Sequence, residues 1–156
     1  MRLRVIAVGT RLPAWVGQVF GEYARRLGST LKLELCEVAA GPRGASRPPS
    51  QALAAERDRL LAQLKGDEIV VALDEHGREL STAELAAWLG SRMGDGRDIA
   101  FLIGGPDGLD SAVLERSDSR WSLSRLTLPH ALVRVVLAEQ LYRAHSVLAG
   151  HPYHRE

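Results

Sequence analysis

Cysteine is almost absent. Cys36 is the only one in 156 residues, which excludes an internal disulfide and a multi-cysteine zinc site. It falls in an alternating apolar run and reads as a small core hydrophobe. Long apolar runs are missing too: none approaches the roughly 18 residues a membrane span needs. The N-terminus, MRLRVIAVGT, lacks the extended apolar region and small-residue cleavage site of a signal peptide. The expected location is therefore the cytoplasm, with no membrane partner. No internal repeat is visible, and only residues 41–50 are compositionally biased. Asp74 and Glu75 have no further ligand at metal spacing, so no metal is expected. Net charge is also small, at +1, and by itself points to no partner. Its distribution is uneven. Residues 1–50 hold eight Lys/Arg against three Asp/Glu, residues 51–120 hold eight against fourteen, and residues 121–156 hold four against two plus four of the five histidines. Basic ends around an acidic middle suit an anionic partner at the termini, and equally suit ordinary surface variation.

What is present is an alternation of strand and helix patterns. RLRVIAVGT (Arg2–Thr10) reads as a strand, and Pro13–Leu27 as a helix with one apolar face. Leu31–Ala40 alternates as a second strand. Gly41–Ser50 is a basic Gly/Pro loop, followed by a helix over Gln51–Leu64 with Ser50 as a candidate N-cap. Glu68–Asp74 is a strand covered on both faces, and EHGRELS is a turn. A helix over Thr82–Met93 follows, with Ser81 and Glu84 as a capping box. Ile99–Gly105 is another doubly buried strand, and Asp110–Ser117 a short helix. Trp121–His130 is a strand or an ordered loop, Leu132–Leu148 is the longest helix, and HPYHRE is a tail. The length fits one domain over 1–156 with a single core. The alternation predicts an α/β fold with a mostly parallel sheet.

Ligands of open parallel sheets gather at the strands' carboxyl ends. Three such ends carry unusual chemistry: VVALD-EHG, FLIGG-PDGL and SLSRLTL-PH. In the second, Gly104 and Gly105 remove side-chain bulk, Pro106 stops the strand's hydrogen bonding, and Gly108 can take a positive φ. That pattern suits either a plain strand-to-helix turn or a place where a ligand meets backbone. It is neither a Walker loop nor a dinucleotide fingerprint, since no Gly-Lys-Ser/Thr follows and the glycine spacing is wrong. SLSRLTLPH is either an amphipathic strand or a segment offering backbone groups to an adenine edge while its leucines pack on the ring.

VVALD, FLIGGPDGL, WSLSRLTLPHALVRVVLAEQLYRA and HPYHRE, with RLRVIAVGTRLPAWV and the YARR run at the start, resemble the SPOUT-class methyltransferases that modify N3 of a pseudouridine in bacterial 23S ribosomal RNA. The resemblance covers essentially the whole chain, with the loop SRPPSQ its weakest part. It implies a SPOUT α/β knot, in which the C-terminal segment threads a loop as a trefoil. It implies S-adenosylmethionine as cofactor, with contacts at Leu73, Gly104, Gly105, Leu123, Ser124, Arg125, Leu126, Thr127 and Leu128. It implies a homodimer in which the long C-terminal helix packs on its mate and each tail completes the partner's site. The substrate implied is 23S rRNA in the large subunit or the 70S ribosome.

Methyl transfer to N3 requires loss of the N3 proton. His154 is the candidate base by pKa type, Arg155 and Arg143 are candidates for the developing anion or phosphate, and Tyr153 for stacking on a base. The Glu139–Arg143 spacing also fits a simple i,i+4 salt bridge. His130 is a turn residue or a substrate-side group. His145 and His151 are read as structural or solvated, and Trp15 and Trp121 as core or interface. Arg2, Arg4, Arg11, Arg25, Arg26, Arg43 and Arg47 are the candidate phosphate-binding surface. A non-catalytic RNA-binding or ribosome-assembly factor of the same fold is the alternative reading.

Overall fold

The computed structural model describes residues 1–155. Its strands are β1 (Arg2–Val8), β2 (Lys32–Val38), β3 (Ile69–Glu79), β4 (Ile99–Ile103) and β5 (Ser119–Ser122). Its helices are α1 (Ala14–Leu27), α2 (Pro49–Ala62), α3 (Thr82–Asp95), α4 (Ser111–Arg116) and α5 (His130–Ala149), followed by a 3-10 turn over Pro152–Arg155. The five strands form one sheet in the order β2-β1-β4-β3-β5, every pairing parallel.

Two apolar layers flank this sheet. Alternate residues of β1 divide between them: Leu3, Val5 and Ala7 face the layer shared with α1, α3 and α5, while Ile6 and Val8 face the layer shared with α2 and α4. Residues of period two, buried on both sides, are the signature of a parallel sheet between helices. β4 (IAFLI) is buried at every position, as its unbroken apolar run predicts. The larger layer contains Phe101, Trp88 and Trp121, with the two tryptophan rings packed edge to face at 4.6 Å.

Several boundaries differ from expectation. Ser50 does not cap α2, because the helix starts two residues earlier than expected, with Pro49 at its first position and Pro48 before it. Proline suits that place because its missing N–H has no helical partner there anyway. The turn expected over EHGRELS is an excursion within a strand. Leu73 and Arg78 both pair with Trp121, so residues 74–77 bulge out and β3 resumes to Glu79. Gly77 permits it, since a Cβ there would lie 2.7 Å from the backbone of residues 120 and 121. WSLSRLTLPH contributes only Trp121 and Ser122 to a strand, and α5 begins at His130 rather than Leu132. The capping box on α3 is as expected: Ser81 Oγ accepts from Glu84 N–H at 3.1 Å, and Glu84 Oε2 accepts from Ser81 N–H at 2.7 Å. Cys36 is only partly buried, at the edge of the smaller layer.

The chain after β5 decides where the site lies. β5 is at one edge of the sheet, yet α5 packs on α1 and α3. On α5, Arg134 donates to the carbonyls of Val8 (3.0 Å) and Gly9 (2.8 Å) at the end of β1, and to Glu37 Oε2 (2.5 Å) on β2. Residues 123–129 therefore cross the carboxyl ends of β3 and β4 to reach β1. Three strand spacings are about 14 Å, well within the reach of seven residues at about 3.4 Å each.

Candidate cofactor cavity and C-terminal cluster

That crossing segment roofs a cavity of about 750 Å³ over the carboxyl ends of β3, β4 and β5. Leu73, Asp74, Glu75 and His76 form one wall, residues 103–109 a second, and residues 122–124 and 126–130 a third, with Val133 at the start of α5. The structure thus brings together Leu73, Gly104, Gly105, Leu123, Ser124, Leu126, Thr127 and Leu128. Arg125 is exposed and lies outside the lining.

Local chemistry shapes each wall. Gly108 N–H donates to Gly105 C=O at 3.1 Å, closing a tight turn in which Gly108 has φ +76°. A Cβ on Gly104 would stand 2.3 Å from the Gly108 carbonyl oxygen, so the bulk missing at this position admits the turn's own backbone. At Gly105 the space faces Val8, at 3.1 Å, and the carboxylate of Glu56, at 3.5 Å. In the third wall, Ser124 Oγ accepts from Leu126 N–H at 2.9 Å and Ser122 Oγ donates to Ser124 C=O at 2.8 Å. These short-range bonds hold an irregular segment without a strand partner. Leu126 is 76% exposed at the rim.

An apolar surface for a ring, backbone amides at a glycine turn and three carboxylates (Asp74, Glu75, Asp107) line one concavity. Its volume is that of a typical small-molecule site. The donor set fits a cationic adenosyl compound: leucines for the purine, backbone groups for its edge and Asp74 and Glu75 for positive charge, while Asp107 is engaged by Arg43. No group of three or more His, Cys, Asp or Glu residues able to hold a metal occurs among the described residues.

His130 also lines the cavity. Burial holds its pKa below the usual histidine value, aided by the nearby charges of Arg134 and Arg43 and opposed by Glu56. It is therefore a neutral imidazole at neutral pH.

The tail residues lie elsewhere. Tyr153 packs on Tyr142 (4.6 Å between ring centroids) and Tyr23 (6.5 Å), and its hydroxyl donates to Glu139 Oε1 at 3.1 Å. Arg143 Nε donates to the same oxygen at 2.8 Å, and its guanidinium lies 4.9 Å from the Tyr153 ring centroid. The expected Glu139–Arg143 salt bridge is thus present, within a larger cluster. Burial, the Tyr23 hydroxyl and the Glu139 charge push the Tyr153 hydroxyl far above the ordinary tyrosine pKa, so it is a proton donor and not a base. His154 Nδ1 lies 2.5 Å from the His151 carbonyl, and Arg155 is exposed in the same 3-10 turn. Glu156, the last residue of the expected tail, lies outside the described residues.

Two sets of predicted residues therefore form two separate clusters. His130 begins α5 and Arg143 is thirteen residues on, about 20 Å along the helix axis, with the tail beyond. Within one chain the tail cluster does not reach the cavity.

Two arginines leave the expected phosphate surface. Arg4 is buried and paired with Glu68 at 2.5 Å, and Arg43 is tied to Glu56 and Asp107. Arg26 lies over the tyrosine cluster and pairs with Glu22. Trp121 is in the core, while Trp15 is 45% exposed. Sequence reasoning missed Glu56 and Arg134. Both are charges on the buried stripe of a helix, Ala52-Glu56-Leu60 and Arg134-Leu137-Leu141, and that placement was the available signal.

Comparison with known proteins agrees with this geometry. The chain matches a family described as "Predicted SPOUT methyltransferase" over residues 1–154. It is similar to proteins named ribosomal RNA large subunit methyltransferase H. The one from Alkalilimnicola ehrlichii is 55% identical over 155 residues, 99% of each chain, and the one from Thioalkalivibrio sulfidiphilus is 53% identical over 156 residues, all of each chain. Among solved structures, a probable methyltransferase from Bordetella pertussis superposes with a TM-score of 0.57 at 20% identity, covering 91% of this chain and 95% of that one. A probable methylase family protein from Haemophilus influenzae gives 0.55 at 16%, covering 97% and 69%. At such identities these two speak for the fold alone.

Proposed function

This chain belongs to the SPOUT methyltransferase family, and from that premise we propose that it methylates N3 of a pseudouridine in 23S rRNA, as a cytoplasmic homodimer acting on the large subunit or the 70S ribosome. The fold is the family's α/β knot. The protein is an S-adenosylmethionine-dependent ribosomal RNA methyltransferase. The observation that carries this is the relationship at about half identity over the full chain. The cavity of about 750 Å³ at three strand ends has the size and chemistry the cofactor needs.

Leu73, Leu123 and Leu128 would hold the adenine, the backbone of residues 104–109 and 122–128 its polar edge, and Asp74 and Glu75 the positive charge. When bound, the cofactor supplies an electrophilic methyl group. The chain's own task is to position N3 and handle its proton. His154 accepts that proton. Arg143 and Arg155 stabilise the negative charge left on the base. Tyr153, held protonated, donates a hydrogen bond or stacks and does not compete for the proton.

The separation of about 20 Å along α5 supports the dimer. If the two clusters act on one nucleotide, the tail cluster must come from a second copy. Leu126, Leu132 and Leu148 are exposed large apolar residues on or beside α5, consistent with α5 packing on its mate. For RNA, Arg2, Arg11, Arg25, Arg26 and Arg47 remain of the expected surface.

Calorimetric titration with S-adenosylmethionine and S-adenosylhomocysteine tests the cavity. Binding of both is expected, and absence of both would favour a non-catalytic RNA-binding role. Mass spectrometry of 23S rRNA from a strain lacking this chain tests the target: one methyl should be missing from a pseudouridine, and an unchanged nucleoside profile would refute that target.

A further inference from the structure

Arg43, in the basic loop between β2 and α2, uses all three guanidinium nitrogens. Nη1 and Nη2 grip the two carboxylate oxygens of Glu56 at 2.7 and 3.1 Å, and Nε donates to Asp107 Oδ2 at 2.9 Å. Glu56 is 2% exposed and also accepts from Gly41 N–H at 2.9 Å. A buried carboxylate needs such partners. Asp107 lies at the apex of the Gly105–Gly108 turn and lines the cavity. The turn lies beside the ion pair, since a Cβ added at Gly105 would stand 3.5 Å from Glu56 Oε1 and 3.7 Å from Arg43 Nη2.

We propose that Arg43 is a positioning residue for the cofactor: by bridging buried Glu56 to Asp107 it holds the glycine turn in its binding geometry and couples cofactor occupancy to the order of the basic loop. The inference rests on the cofactor reading above. The physical reason is preorganisation. A turn of Gly105, Pro106, Asp107 and Gly108 has few side-chain contacts of its own, and fixing it beforehand removes an ordering cost that binding would otherwise bear. By reciprocity, cofactor that orders the turn must also order what the turn holds. Planar geometry matters here. Lysine could neutralise Glu56, but it cannot grip both its oxygens and reach Asp107 as well.

The test measures S-adenosylhomocysteine affinity by calorimetry, and hydrogen exchange of the amides of residues 43–47 with and without that compound. It compares the wild-type chain, Asp107→Asn, Arg43→Lys and the double variant. Asp107→Asn should weaken binding about fivefold and Arg43→Lys about tenfold, with the double variant no worse than Arg43→Lys alone, because contacting residues couple. KM for the cofactor should rise while kcat at saturation stays within about twofold. In the wild type the compound should slow exchange in residues 43–47, and in Asp107→Asn that protection should vanish. Wild-type affinity and unchanged protection in Asp107→Asn would overturn the proposal. So would additive losses in the double variant, which would mean that Asp107 acts on the ligand directly. Asp107 is a third exposed, so its variant tests the latch even where Arg43→Lys fails to fold. A wild-type chain that binds no S-adenosylhomocysteine would remove the cofactor reading itself, and the latch with it.

Discussion

At the scale of single residues, Gly104 shows how packing and binding become the same constraint. Its Cβ must be absent because one there would stand 2.3 Å from the Gly108 carbonyl oxygen, and the turn so formed is a wall of the cavity. Gly104→Ala must push that turn outward. It should destabilise the protein by about 1–3 kcal/mol, the usual penalty for overpacking, and weaken S-adenosylhomocysteine binding, both readable from urea unfolding and calorimetry. The histidines set a pH dependence. Burial depresses the folded-state pKa of both His130 and His145, and His145 Nδ1 is buried without a hydrogen-bond partner among the described residues. The unfolded chain titrates near the ordinary value of about 6.5. Below that pH it takes up protons that the folded chain resists, so stability is full above about 6.5 and falls as pH drops. The urea midpoint should decline from pH 7 to pH 5, and His145→Gln should flatten that decline. These residue-level facts were only partly legible beforehand. GGPDG announces a turn, but which atom fills the space at Gly104 depends on Gly108, whose position is tertiary.

At the scale of elements, α5 does two things with one face. Its apolar stripe closes the larger core layer, and Arg134 within that stripe pins the helix start to β1 and β2 through Val8, Gly9 and Glu37. Arg134→Met should cost about 2–4 kcal/mol, because the buried Val8 carbonyl loses its donor and Glu37 its partner. It should also loosen His130 and the cavity roof. Chemical denaturation checks the first effect, and hydrogen exchange of residues 126–133 the second. The elements themselves were well marked in the sequence. Period two in β1 and β2, the capping box at Ser81, and unbroken apolar runs in β3 and β4 all report local physics, and all are found. The misplacements have local causes as well. β3 resumes past Asp74 because Gly77 allows close approach to β5, and only the pairing reveals that. Arg4 and Arg43 looked like surface charges because their buried partners, Glu68 and Glu56, are far off in sequence or turned inward on a helix.

At the scale of the whole molecule, an α/β parallel sheet followed from alternation, while the knot came from resemblance, since pattern alone favours unthreaded chains. The cavity's three strand ends were legible because parallel sheets place chemistry at their carboxyl edges. The distance between cavity and tail was not, because it depends on how far α5 runs and where it starts. That distance makes the central claim testable: one copy holds the cofactor, and the other supplies the tail. The direct measurement mixes two inactive chains, one lacking residues 153–156 and one carrying Leu128→Glu in the cavity, each first shown to dimerise. Methyl transfer to ribosomes should reappear in the mixture, because mixed dimers contain one intact cavity facing one intact tail. A mixture as inactive as its parents would contradict the account.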